Sequence, residues 1–215
     1  MLTVVFLDAN VLAKAVTRTI LMVGGMPSGF QPVWSVAAEL EAAAHMRPRA
    51  ISPTLLRERL GLQLTPPGDR PERFAATRGS DRQILADAAA AHASFLITED
   101  VDDYAPEDLA RVGMSAVNPD VFLAERLTRA AYTTVINLFV ERQVNPPTTP
   151  ANFHAAIARQ HPRLFAAQAD LYDIEPAHSA HPEPAVVFRG TRCLRCEKIV
   201  TDPATLIEGL CSACI

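Results

Sequence analysis

Short apolar runs, each set beside a helical pattern, constrain this chain more than any other feature. "LTVVFLD", "PVWS", "SFLIT" and "MSAVN" are too short for helices, and the first and third are apolar at consecutive rather than alternate positions. A strand apolar on both faces must be covered on both faces. Strands of this kind alternating with helices imply an α/β fold, with a parallel sheet lying between two helical layers. In such sheets, sites form outside the carboxyl ends of the strands.

From residue 1 to about 124 the two patterns alternate. Helical stretches are "ANVLAKAVTRTILMV", "SVAAELEAAAHM" and "SDRQILADAAAAHA". "SPTLLRERLGLQL" is a further helix, with Ser52-Pro53 suited to its N-cap and first position. Residues 65–79 carry Pro66, Pro67, Gly68, Pro71 and Gly79 and read as a loop. Residues 125–185 are a helical extension and linker. The helical run "PDVFLAERLTRAAYTTVINLFVERQ" leads into it, "NPPTTP" breaks the pattern, and "ANFHAAIARQ" and "PRLFAAQADL" follow. Residues 174–184, "IEPAHSAHPEP", look like the linker itself. The six histidines are spread out and read as solvated, with His178 and His181 in that linker; Phe30 and Trp34 read as core. Residues 186–215 form a third, cysteine-bearing unit.

No apolar run approaches the ~18 residues that would suggest a membrane span. The opening apolar run lacks basic residues and stops at Asp8, which reads as a first strand rather than a signal peptide and suggests a cytoplasmic protein. The formal net charge of −4 argues against non-specific nucleic-acid binding, but the acidity is regional. Residues 1–125 hold 16 acids and 11 bases, and residues 126–215 hold 8 acids and 9 bases.

"ASFLITEDVDDY" places Glu99, Asp100, Asp102 and Asp103 just past a buried strand. Asp8 ends the first strand and Asp100 follows another. Parallel strands open on the same edge, so both acids can face one crevice. Asp81 opens the helix before the second of these strands. Glu39 and Glu41, two apart on one helix, cannot both point the same way, so one of them can join. Taken singly, a strand-end Asp is often a turn former; it is joint placement that points to function. Mg²⁺ and Mn²⁺ are hard cations that prefer such oxygen ligands and can activate water for attack on phosphorus. Without a cation the carboxylates repel, at least one pKa should rise, and the edge should be destabilised or disordered.

These motifs resemble the PIN-domain ribonucleases. "VVFLDANVL" is similar to their opening strand, "VWSVAAELEAA" to their second element, and "SDRQILADAAAAHASFLITEDVDDY" to their third; "GMSAVNPDVFL" fits the exit strand and following helix. The resemblance spans residues 1 to about 125. It continues more weakly through "NPPTTPANFHAAIARQHPRLFAAQ", which looks like the helical C-terminal extension of a VapC-like toxin subgroup. It implies metal ligation and catalysis by Asp8, Glu41 (in preference to Glu39), Asp81 and Asp100. Asn10, Thr98 and Asp103 take auxiliary places. The implied reaction is hydrolysis of an RNA phosphodiester.

"CLRC" at 193–196 and "CSAC" at 211–214 are two Cys-x-x-Cys knuckles separated by 14 residues, and they use every cysteine in the chain. Two such knuckles complete a closed four-thiolate Zn²⁺ site of Cys193, Cys196, Cys211 and Cys214. Two disulfides are the alternative, disfavoured in a reducing compartment. A closed zinc site leaves no position for catalysis, and a thirty-residue ribbon needs the metal to fold. Arg189, Arg192, Arg195 and Lys198 cluster on its first half. They could grip RNA phosphates; equally, the ribbon could be a knob for homodimerisation or for docking an antitoxin.

The chain is therefore expected to hold a PIN-like nuclease domain (1–124), a helical extension and linker (125–185) and a zinc ribbon (186–215). The expected activity is that of a Mg²⁺- or Mn²⁺-dependent endoribonuclease, the toxin of a toxin–antitoxin pair acting on structured RNA, with no membrane association. The runner-up is a ribosomal-RNA maturation nuclease, since PIN domains joined to zinc ribbons occur there. A non-catalytic RNA- or protein-binding module is the reading from a different class. A haloacid-type phosphatase is disfavoured, because "DANVL" lacks a second Asp two residues after the first.

Overall fold

The structure, a computed structural model, describes residues 2–47, 50–174 and 186–215. The 174–184 linker reading, with His178 and His181, falls almost wholly outside them. One five-stranded sheet organises the chain: β1 (Thr3–Leu7), β2 (Phe30–Val33), β3 (Phe95–Ile97), β4 (Ser115–Val117) and β5 (Phe188–Gly190), in the order β2-β1-β3-β4-β5. β1 pairs in parallel with β2 and β3, β3 pairs in parallel with β4, and β5 runs antiparallel to β4. Every residue of β3 and β4 is buried, so both faces of the sheet centre are covered, as their apolar runs require. β2 lies one or two residues earlier than "PVWS" suggests. It tolerates Pro32 because it is an edge strand.

The helices are α1 (Ala9–Ala13), α2 (Ala15–Gly25), α3 (Val36–His45), α4 (Pro53–Leu60), α5 (Asp81–Ala90), α6 (Pro106–Val112), α7 (Pro119–Arg126), α8 (Arg129–Arg142), α9 (Pro150–Ile157) and α10 (Pro162–Ala167). Their N-termini follow local chemistry. Ser35, Ser52, Asn118, Thr128 and Thr149 each accept a backbone N–H from the first turn of the helix they cap. Three sequence readings need correction. The helix expected from Ala9 is broken at Lys14, whose extended backbone separates α1 from α2. The helix from Pro53 stops at Gly61, which adopts a left-handed cap and donates to the Arg57 and Glu58 carbonyls. The run from Pro119 to Gln143 is two helices, because Thr128 starts a new one. α6 had no counterpart in the sequence reading; it makes the crossover between β3 and β4.

The core gathers between sheet and helices. The Phe122 ring on α7 meets Phe30 edge-on at 5.0 Å and Phe95 at 5.8 Å. Phe30 and Trp34 are buried, as expected. The reading of the histidines as solvated fails for His154 and His161, which are buried in the helical extension. His154 Nδ1 lies 2.6 Å from the Tyr132 hydroxyl, and its ring stacks on Phe165. His161 Nε2 lies 2.9 Å from Thr17 Oγ1. Burial, helped by nearby Lys14, pushes His161 down to about 4, so it is neutral at pH 7. Among the described residues, no helix is long and apolar enough to cross a membrane.

The cysteine-bearing segment is built into the sheet. β5 covers the exposed edge of β4, and Ser115 Oγ both accepts from Arg192 N (2.8 Å) and donates to Arg192 O (3.1 Å). The Arg126 guanidinium donates to Leu194 O (2.8 Å) and Glu197 (2.8 Å), and the Thr3 hydroxyl also donates to Glu197. Gly190 lies tight against the β4 backbone. Its φ is +136°, and an added Cβ would lie 2.5 Å from Ser115 Cα. Gly190→Ala is therefore expected to destabilise the fold by about 2 kcal/mol or more, lowering Tm by at least about 4 °C. Thermal denaturation followed by circular dichroism checks this; an unchanged Tm would show that the seam is not under the constraint described.

Candidate functional site

β1 and β3 end in register, with Leu7 beside Ile97, and Asp8 N donates to Ile97 O at 3.0 Å. This puts Asp8 next to Thr98, the residue just after β3. Asp8 is buried and well supplied with donors. Its Oδ1 accepts from Ala9 N (2.6 Å), and its Oδ2 accepts from Thr98 Oγ1 (2.7 Å), Tyr104 OH (3.1 Å) and Asn10 Nδ2 (3.3 Å). Asn10 Nδ2 also reaches Thr98 Oγ1 (3.0 Å) and Asp100 Oδ2 (3.1 Å), and Asn10 Oδ1 accepts from Glu99 N (3.2 Å). One amide thus ties the start of α1 to the turn after β3.

A pocket of about 380 Å³ opens at this edge, lined by Asp8, Asn10, Glu41, Asp81, Asp100 and Asp103 together with Ala9, His45, Ser80 and Tyr104. All four acids expected to act together reach it, as do auxiliary residues Asn10 and Asp103; Thr98 stands behind Asp8. Glu41 lies on the pocket wall and Glu39 does not. Glu39 is buried, accepting from Trp34 Nε1 (2.8 Å), Thr54 Oγ1 (2.7 Å) and Arg57 Nε (3.1 Å). Burial opposes its charge, but those donors outweigh it and lower its pKa. Two residues apart on a helix means nearly opposite directions, so one glutamate braces α3 against α4 while the other faces the pocket. Tyr104 was missed. Its hydroxyl function depends on folding back onto Asp8 across 96 residues, and only its place after Asp103 hinted at it.

Donor supply separates two of the pocket acids, Glu41 and Asp81, from the structural ones. Asp87 accepts from Gly68 N, Asp108 from Ala76 N and Thr77 N, and Asp120 from Arg163 N and Leu164 N. Among the described residues, the carboxylates of Glu41 and Asp81 accept no such hydrogen bond. The electrostatic cost is visible. Burial, followed by repulsion from Asp8, Asp103, Glu41 and Asp100, raises Asp81 from 3.8 to about 6. Burial also raises Asp8 despite its donors, and raises the Tyr104 phenol, which stays protonated to donate. Asp103 is offset by an ion pair with Arg78. The pocket oxygens are more widely spaced than a closed ligand cage, since no three acids among the described residues bring carboxylate oxygens within 4.8 Å of one another. A hard cation bound here would therefore have to keep several waters.

The four cysteines do form a close group. Their sulfurs all lie within 4.8 Å of one another, with no disulfide, and Cys196 Sγ is 3.6 Å from Cys211 Sγ. A tetrahedron with Zn–S bonds of ~2.3 Å has edges of ~3.8 Å, so the set fits a structural zinc ion. The knuckles are shaped by backbone bonds: Glu197 N to Cys193 O (3.0 Å), Cys214 N to Cys211 O (2.8 Å), and Cys211 N to Cys193 Sγ (3.4 Å). Burial alone would raise Cys193, but N–H donors from Cys196, Cys211 and Arg195 bring it down to about 6. Its neighbours' thiols, Cys196 foremost, push Cys214 up to about 12. Zinc would supply the charge that lets all four ionise.

The basic residues of this segment are mostly engaged with the protein. Arg189 donates to the carbonyls of Asp102 (3.0 Å) and Tyr104 (3.3 Å), flanking Asp103. Arg192 donates to Gly113 O and Glu197 O, and Arg195 pairs with Glu125 and reaches Cys214 O. Among the described residues, Lys198 alone of the four has no such partner. No family model matches the chain, and neither a curated protein nor a solved structure matches it.

Two outcomes are expected. Asp81 is protonated more readily folded than unfolded, so its ionisation costs stability as pH rises from about 4 through about 6. Asp81→Asn, in EDTA, should therefore raise Tm at pH 7.5, with the gain vanishing below pH 4; a lower Tm at both pH values contradicts the repulsion. Purified protein should contain one zinc per chain by plasma mass spectrometry, lost in Cys193→Ser/Cys211→Ser along with protease resistance of residues 186–215.

Proposed function

We propose that this chain is a metal-dependent endoribonuclease of PIN-like fold, hydrolysing RNA phosphodiester bonds at the acidic pocket. The observation that carries the reading is the meeting of Asp8, Glu41, Asp81, Asp100 and Asp103, from separate parts of the chain, in one pocket where two of them lack donors among the described residues. Asp8, Glu41, Asp81 and Asp100 hold Mg²⁺ or Mn²⁺. A bound hard cation supplies Lewis acidity at the phosphate and lowers the pKa of water.

The chain's own residues supply the arrangement. Thr98, Tyr104 and Asn10 hold the Asp8 carboxylate in one orientation, and the Asn10 bond to Asp100 keeps that second acid in reach. Arg189 and Arg78 fix the turn that carries Asp103. The biological role is that of a toxin whose activity an antitoxin protein restrains, acting on structured RNA. The four-cysteine ribbon favours the alternative reading, an RNA-maturation nuclease working by the same chemistry.

Incubation with mixed RNA and Mg²⁺ or Mn²⁺, with the products mapped by sequencing, should yield defined cuts. Asp8→Asn should slow cutting by about 10²-fold or more while leaving the circular dichroism spectrum unchanged. Cutting that survives Asp8→Asn removes the active-site assignment. Wild-type protein that binds RNA but cuts with neither metal is a binding module instead.

A further inference from the structure

A second cavity, of about 620 Å³, shares Asn10 and His45 with the acidic pocket and is otherwise lined by Ala13, Lys14, Ala15, Val16, Arg47, Ala50 and Gln160. We infer that this groove seats a single-stranded stretch of the RNA, such as a loop, next to the scissile phosphate, with Lys14 and Arg47 meeting a flanking phosphate and Gln160 meeting a base edge. This inference rests on the proposed cation-binding nuclease pocket, while its test reads binding rather than cutting.

The charge pattern selects the ligand. The acidic pocket carries five carboxylates, whereas the groove lining holds no carboxylate and two permanent cations. An acidic peptide attracted to Lys14 and Arg47 would meet those carboxylates one step away. A nucleic-acid strand would satisfy both halves: the acids would hold a divalent cation that offsets their charge against one phosphate, and the neighbouring phosphate would meet Lys14 and Arg47. Arg47 has no carboxylate partner among the described residues, whereas Lys14 already pairs with Glu99, so Arg47 contributes more.

The groove is large enough for a nucleotide. Its small apolar walls give a base or sugar a close surface, and Gln160, from the helical extension, offers both an amide donor and an acceptor. Base edges are free for such contact in single-stranded RNA. The groove is also a built feature. The extended backbone of Lys14 breaks α1 from α2. Buried Arg18 donates to Leu12 O and, at 2.7 Å, to Ile51 O, holding the chain beside Ala50.

The test is fluorescence anisotropy of a labelled ten-nucleotide single-stranded RNA with the full chain, using Ca²⁺ in place of Mg²⁺ or Mn²⁺ to suppress turnover. Arg47→Glu reverses the cation that has no carboxylate partner among the described residues, and Ala15→Trp fills the groove from an exposed position; neither belongs to the acidic pocket. Each should weaken binding about 10-fold at unchanged Tm, and Arg47→Glu should reduce the salt slope by about 1. Wild-type affinity in both variants overturns the inference even if the protein cuts RNA. Loss of binding in both variants upholds it even if neither metal supports cutting. Wild-type protein that binds polyglutamate but not RNA assigns the groove to an acidic protein and overturns the inference.

Discussion

The buried carboxylate of Asp8 is the joint on which this structure turns. It closes β1, accepts the first N–H of α1, and takes hydroxyl donors from Thr98 and Tyr104, which come from the far side of a parallel crossover. A buried carboxylate needs donors of this kind, since an unsatisfied charge would cost several kcal/mol. The bonds that stabilise Asp8 therefore also set the β1–β3 register and the position of the turn carrying Asp100 and Asp103. The pocket is a consequence of that register.

Two populations of acid coexist in the chain, and hydrogen-bond supply distinguishes them. Asp87, Asp108, Asp120 and Glu39 are satisfied by backbone or side-chain donors, and they brace loops and helices. Glu41 and Asp81 face the pocket without such donors among the described residues, in the field of three other carboxylates. Folding concentrates negative charge there against its own electrostatics. A divalent cation would resolve that conflict, and so the proposed function rests on the charge arrangement rather than on any single residue.

The cysteine-bearing segment plays a larger part in the sheet than its position at the end of the chain suggests. β5 covers the β4 edge, and Arg126, Thr3 and Glu197 knit the first strand, α7 and the ribbon together. Its arginines were expected to present a basic surface. Arg189, Arg192 and Arg195 instead spend their donors on carbonyls and on Glu125, and Arg189 supports the turn behind the pocket. Guanidinium groups with several fixed donors are suited to this bracing role.

Local pattern was enough to set the alternation of strands and helices, the acids at Asp8, Asp81 and Asp100, and the paired cysteine knuckles. Each of these depends on neighbours within a few residues: burial periodicity, a cap, a tight turn. The breaks at Lys14 and Leu127–Thr128, the burial of His154 and His161, and the pairing of β5 with β4 were not legible, because each is decided by partners far along the chain. The same holds for the division of labour between Glu39 and Glu41. The sequence places them two apart on one helix and so requires that they diverge, but only the packing of Trp34, Thr54 and Arg57 decides which one is neutralised and which one is left facing the pocket.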